Sequence, residues 1–135
     1  LNMWVGAAAL CVNSDRQILM VLQGKPEEEK RWSVPSGGKE QYETLEECCI
    51  REVHEETGYS CKIIKEIKSK AGAFDTVEYH VTYFEIEIKG GKPIIHDPDE
   101  LIYEVAWKTP EQLNDIDLTF PEDKEFLLQY IEHRA

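Results

Sequence analysis

Residues 37–59 read GGKEQYETLEECCIREVHEETGY, and how this stretch folds constrains everything around it. Thr44 followed by Glu47 matches a capping box, in which the threonine hydroxyl and the glutamate carboxylate satisfy amides of a helix's first turn. A helix is therefore expected to start near residue 45. Gly58 supplies the left-handed position that ends many helices, so the end is expected near Glu56 or Thr57, after about three turns. The Ser36-Gly37-Gly38 segment ahead of it reads as a turn.

That helix concentrates charge in an unexpected way. At about 100° per residue, Glu52, Glu55 and Glu56 fall within an arc of roughly 100°. Like charges at these spacings repel, and the helix C-terminus also disfavours anions. A solvated acidic face tolerates such repulsion at a few tenths of a kcal/mol per pair. A hard divalent cation such as Mg²⁺, which prefers oxygen ligands and sits between carboxylates and phosphates, would relieve it. Spacing alone leaves both readings open.

Outward from the helix, residues 3–12 and 17–23 are apolar runs of strand length separated by a polar turn, which predicts an antiparallel hairpin. Residues 25–31 form a charged loop, and Trp32-Ser33-Val34-Pro35 an extended piece. Residues 61–68 and 77–88 read as strands, the second changing phase near Tyr83-Phe84, which predicts a bulge or burial on both faces. Gly90-Gly91 reads as a turn and 102–107 as a further strand. Thr109-Pro110-Glu111-Gln112 repeats the cap chemistry for a short helix. Pro121 opens a last helix carrying Phe126, Leu127, Tyr130 and Ile131. Strands interleaved with helices predict an α+β domain spanning 1–135, with a mixed β-sheet between helices.

The whole chain narrows the partners. Its 135 residues hold 15 Lys+Arg against 27 Asp+Glu, a formal charge of −12. That field repels nucleic-acid backbones, and a phosphate-bearing ligand would need a local positive partner. The four cysteines, at 11, 48, 49 and 61, have no zinc-knuckle or disulfide-framework spacing and point to a reducing cytoplasmic compartment. The N-terminal apolar run lacks the basic flank of a signal peptide, is followed at once by Asn13-Ser14-Asp15-Arg16 and is too short to span a bilayer, so no membrane partner is expected.

The motif Gly37, Glu43, Arg51-Glu52-Val53, Glu55-Glu56, Gly58-Tyr59 resembles the Nudix box, G-x5-E-x7-R-E-U-x-E-E-x-G-U with U apolar, at every specified position. Trp32-Ser33-Val34-Pro35 is similar to that family's lead-in. Glu104-Val105-Ala106-Trp107 and Thr109-Pro110-Glu111-Gln112-Leu113 are similar to its later strand and helix. Two departures stand out: Ser36-Gly37 where family members commonly have Gly-Gly, and Tyr42 where a glycine commonly precedes the first box glutamate.

The resemblance implies the Nudix fold, an α/β/α sandwich, and a Mg²⁺-dependent pyrophosphohydrolase, with Mn²⁺ as the alternative ion, acting on a nucleoside diphosphate linked to another group. It implies metal binding by Glu52, Glu55, Glu56 and the Gly37 carbonyl. Arg51 and Glu43 would orient those glutamates. The general base would be Glu52 or, failing that, Glu100 in Asp97-Pro98-Asp99-Glu100. Trp32, Phe74 and Tyr79, with Tyr83, are candidates to stack on a base, although aromatic residues on strands are commonly core. His54 and His80 are read as exposed and structural, respectively.

The substrate follows by elimination within the family. No proline occurs between Pro35 and Pro93, and only 36 residues precede the box, unlike the ADP-ribose enzymes. The SQPWPF array of NADH-cleaving members is absent. The expected substrate is a (deoxy)nucleoside triphosphate cleaved to the monophosphate and pyrophosphate in a MutT-type manner. Alternatives are ADP-ribose, a dinucleoside polyphosphate, an RNA 5′ end, or non-catalytic nucleotide binding by a regulator. The expected assembly is a monomer or homodimer.

Overall fold

The computed structural model describes residues 2–134; Leu1 and Ala135, the two ends of the expected 1–135 domain, lie outside the described residues. In chain order the elements are β1 (Asn2–Leu10), β2 (Ile18–Gln23), β3 (Arg31–Ser33), β4 (Ser36–Gly38), α1 (Leu45–Thr57), β5 (Tyr59–Phe74), β6 (Val77–Gly91), β7 (Ile102–Lys108), α2 (Pro110–Asp115), a 3₁₀ turn (Pro121–Asp123) and α3 (Lys124–Arg134).

A mixed sheet in the order β4-β1-β6-β5 pairs β1 parallel to β6 and antiparallel to β4. An antiparallel sheet, β3-β2-β7, lies alongside it. Successive strand residues point to opposite faces, and β1 uses this to serve both sides. Ala7 and Ala9 pack with Cys48, Cys49 and Val53 of α1, whereas Ala8 and Leu10 pack with Leu127, Tyr130 and Ile131 of α3. The alanines leave room for α1 to approach the sheet closely. Helices thus cover both faces, giving the sandwich.

The helix signals are realised as read. Thr44 and Glu47 form both halves of the capping box, and Gly58 closes α1 at φ 83°. Thr109 and Gln112 repeat the box on α2, and Leu127, Tyr130 and Ile131 form the buried side of α3.

Strand pairing departs from expectation in three places. The 3–12/17–23 hairpin does not form a ladder: a single bridge, Val12 to Ile18, links the two runs before they diverge into different sheets. Residues 6–11 and 18–21 are buried on both faces, and such strands find partners elsewhere rather than in sequence. Ser36-Gly37-Gly38 is a short strand pairing with Gly6–Ala8 rather than a turn. Gly90-Gly91 continues β6 against Tyr59-Ser60. The phase change at Tyr83-Phe84 is met twice: Thr82 through Ile86 are all buried, and β5 shifts register between Glu66 and Lys68, opposite that pair. Among the described residues, no helix is long and apolar enough to cross a membrane.

Candidate active site

The carboxylate face of α1 meets β4 at the end of the short strand. Arg51, half-buried, is the hub. Its Nη2 and Nε donate to Oε1 and Oε2 of Glu43 at 2.7 and 3.0 Å, and Nη2 also donates to the Gly38 carbonyl at 2.9 Å. Its Nη1 reaches Glu52 and Glu55, each at 3.2 Å, and Glu40 at 3.4 Å. One guanidinium therefore ties the turn before α1 to two of the three clustered glutamates. Glu43 fixes the turn itself by accepting from the Glu40 amide at 2.8 Å.

Glu56 is 6% exposed, and its Oε1 accepts from the Ser36 amide at 3.1 Å. Gly37 lets a second carboxylate, that of Glu52, come close to the same strand. A Cβ there would lie 1.9 Å from Oε2 of Glu52, so only glycine leaves the carboxylate its place. The Gly37 carbonyl accepts from the Cys48 thiol at 3.5 Å. Tyr42, where relatives commonly carry glycine, sits at φ 71° in the left-handed region and is fully solvated, so its side chain meets no clash beyond its own backbone.

The electrostatics separate these acids. Hydrogen bonding to Arg51 holds the Glu43 carboxyl down at about 2. Burial pushes Glu52 up to about 7, with Arg51 opposing and Glu55 and Asp97 reinforcing. Burial raises Glu56 well above the carboxylate range, and the neighbouring Glu52 raises it further. The Glu43 hydrogen bond raises Arg51 in turn. A carboxylate near 7 can accept a proton at neutral pH, and a group of crowded, disfavoured anions attracts a cation.

The donor types are those of a hard divalent ion: three carboxylates and one backbone carbonyl, with the Cys48 thiol as the soft group in contact. Among the described residues, no group of three or more His, Cys, Asp or Glu side chains stands gathered closely enough to hold a metal ion by itself. Mg²⁺ asks for less, since it keeps several waters and is commonly held by one or two carboxylates together with substrate phosphates.

Of the loop acids, Glu100 is exposed at φ 54°, and its side chain forms no hydrogen bond with the glutamates. Asp97 is the acid within electrostatic reach of Glu52 and Glu56. It caps its own loop by accepting from the amides of Asp99, Leu101 and Ile102. Asp followed by Pro is a turn signal, and that chemistry distinguishes Asp97 from its acidic neighbours.

Beside the carboxylates lies a cavity of about 720 Å³, and Trp32, Phe74, Tyr79 and Tyr83 all line it. Ser36 lines it as well, so the amide that holds Glu56 is also part of the cavity wall. Trp4, Phe120, Lys70 and Asp123 are lining residues that sequence reasoning missed. Buried Asp123 accepts from the Tyr83 hydroxyl and from Lys70 Nζ, the latter at 3.1 Å, placing a polar network in a largely aromatic space. Lys108 Nζ stands 4.1 Å over the Trp32 ring. His54 is exposed and stacks on His96, while His80 is half-buried within β6.

Comparison with known proteins gives a consistent result. The NUDIX domain model matches residues 3–130. A putative nudix hydrolase 1 from Caenorhabditis elegans is 31% identical over 106 residues, covering 77% of this chain and 28% of that protein. An 8-oxo-dGDP phosphatase from Danio rerio, NUDT18, is 41% identical over 56 residues, covering 42% of this chain and 17% of its own length. The chain thus spans less than a third of each of these two relatives. A NUDIX hydrolase structure from Nitrosomonas europaea superposes with a TM-score of 0.84 at 20% identity, covering 98% of this chain and 90% of that one.

Proposed function

The chain belongs to the NUDIX family, and we propose that it is a divalent-cation-dependent pyrophosphohydrolase acting on a nucleoside diphosphate linked to another group. A (deoxy)nucleoside triphosphate, cleaved to the monophosphate and pyrophosphate, suits the site best. The observation that carries this reading is the shared wall: Ser36 lines the aromatic cavity while its amide holds Glu56 of the carboxylate cluster. A base seated between Trp32, Phe74 and Tyr79 would present its phosphate chain toward the acids.

Glu52, Glu55, Glu56 and the Gly37 carbonyl are the groups suited to hold Mg²⁺, or Mn²⁺ in its place. When bound, such an ion neutralises charge on the phosphate oxygens and makes water more acidic. The same ion would let a chain of charge −12 accept a polyphosphate. Glu52 takes the proton of the attacking water, and Asp97 rather than Glu100 stands second to it. Arg51 orients Glu52 and Glu55, and Glu43 holds Arg51 in place through both of its oxygens. The four cysteines are buried and free, which suits a reducing cytoplasmic compartment.

The test is chromatographic product analysis with Mg²⁺ on nucleoside triphosphates, oxidised deoxynucleoside di- and triphosphates, ADP-ribose, dinucleoside polyphosphates and triphosphorylated RNA, with Glu56→Gln as control. Oxidised diphosphates are included because the Danio rerio relative carries 8-oxo-dGDP in its name. Conversion of a triphosphate by the wild type alone supports the reading. No turnover of any compound, with Mg²⁺ binding intact, overturns it in favour of a nucleotide-binding regulator.

A further inference from the structure

Residues 92–101, between β6 and β7, have no regular secondary structure, yet they are docked at defined points on the end of α1. The last carbonyls of a helix have no partner within it. Here the Ile94 amide donates to the Thr57 carbonyl at 3.0 Å and the His96 amide donates to the Glu55 carbonyl at 2.7 Å. The loop passes directly over Gly58, where a Cβ would lie 2.2 Å from the Lys92 carbonyl oxygen. The His96 ring then stacks on the His54 ring, with centroids 5.3 Å apart and planes within 9°. Asp97 is the next residue.

The two imidazoles are exposed and come from separate elements, one from α1 and the other from the loop. Their stack closes the docked segment at its last contact before Asp97, and Asp97 then turns the chain into β7 through its bonds to the Leu101 and Ile102 amides. We propose that the His54–His96 stack is a positioning latch, which holds the 92–101 loop on α1 and thereby keeps Asp97 beside the carboxylates of Glu52 and Glu56. This rests on the hydrolase reading for its effect on turnover. Neither histidine is among the residues that line the cavity.

The test compares His96→Ala, His54→Ala, the double variant and His96→Phe with the wild type, reading amide hydrogen exchange at Ile94 and His96 together with kcat and KM. Each single alanine variant is expected to speed exchange at both amides and to lower kcat about three- to tenfold, the scale of one lost aromatic pair, with KM little changed. The double variant should be no worse than either single one, because both remove the same contact. His96→Phe, which keeps a stacking ring, should restore both readouts. Wild-type exchange in His96→Ala, or no rescue by His96→Phe, overturns the latch. Faster exchange with unaltered kcat overturns its positioning role. A wild-type protein that hydrolyses nothing in the panel sinks the hydrolase reading and the positioning role with it, while the exchange data still decide whether the stack docks the loop.

Discussion

Arg51 grips Glu43 through both carboxylate oxygens, at 2.7 and 3.0 Å, while its remaining nitrogen reaches Glu52 and Glu55. A guanidinium offers this fork and an ammonium does not. The pair therefore links a turn that precedes the helix to the face the helix presents.

The first expected outcome concerns acid stability. Glu43 has a folded-state pKa of about 2, below its ordinary 4.5, because Arg51 favours the ionised form. Its contribution to stability is therefore fully present above about 4.5 and is lost as pH falls toward 2. Urea midpoints measured from pH 5 to pH 2 should fall less steeply in Glu43→Gln than in the wild type. Parallel curves would mean that the pair adds nothing to folding.

Arg51→Ala should lower turnover roughly 10- to 100-fold while changing the Mg²⁺ concentration needed for half-maximal activity much less. The reason is that Arg51 orients carboxylates without contributing a ligand atom. Arg51→Lys should recover only part of the loss, since it cannot hold both Glu43 oxygens. Equal losses of kcat and metal affinity in Arg51→Ala would make the residue an organiser of the ion site only.

Gly37→Ala separates function from stability. The clash it creates is with the end of the flexible Glu52 side chain, which can swing away, so the melting temperature should move little. The displaced Glu52 is the proposed base and ligand, so activity should drop by an order of magnitude or more. A folded, fully active Gly37→Ala protein would show that Glu52 is not required where it stands.

Helix α1 was legible in the sequence because its signals are local: Thr44, Glu47 and Gly58 act on amides and carbonyls within a turn of themselves. The acidic face was legible for the same reason, since spacing along one helix determines direction. Strand pairing was not, because β1 takes its partners from residues 36–38 and 77–85 rather than from the neighbouring run at 18–23. Buried apolar strands carry no alternation that names a partner. Trp32, Phe74 and Tyr79 could be nominated as aromatic, but only the fold brings Trp32 of β3, Phe74 of β5 and Tyr79 of β6 around one space. Asp97 and Glu100 are both acids of one short loop. The turn bonds of Asp97, not its charge, decide which of them faces the helix.

Phe74 offers the cleanest probe of the cavity. It is 76% exposed, so Phe74→Ala should cost little stability, whereas Trp32, at 9%, is core, and its replacement by alanine should cost about 3–5 kcal/mol. Loss of one stacking ring predicts a rise of roughly three- to tenfold in KM for Phe74→Ala with kcat nearly unchanged. An unaltered KM for every substrate the protein turns over would remove Phe74 from the base-binding surface.

Glu56 should reveal a conflict between folding and activity. Burial and the nearby Glu52 raise its pKa well above 4.5, so the ionised form is disfavoured by folding. The linkage has the opposite sign to that of Glu43: as pH rises above 4.5 toward the folded-state pKa, ionisation subtracts stability. Glu56→Gln removes that charge and keeps an oxygen able to accept from the Ser36 amide. With a chelator at pH 8 the variant should therefore melt at or above the wild-type temperature, by up to about 5 °C, and the gap should close toward pH 5. Added Mg²⁺ should raise the wild-type melting temperature by binding only the folded state, and that rise should vanish in Glu52→Gln/Glu56→Gln. Turnover should be lost in Glu56→Gln throughout. If the variant instead melts below the wild type in chelator at pH 8, Glu56 supports the fold, and its burial would then need no cation to explain it.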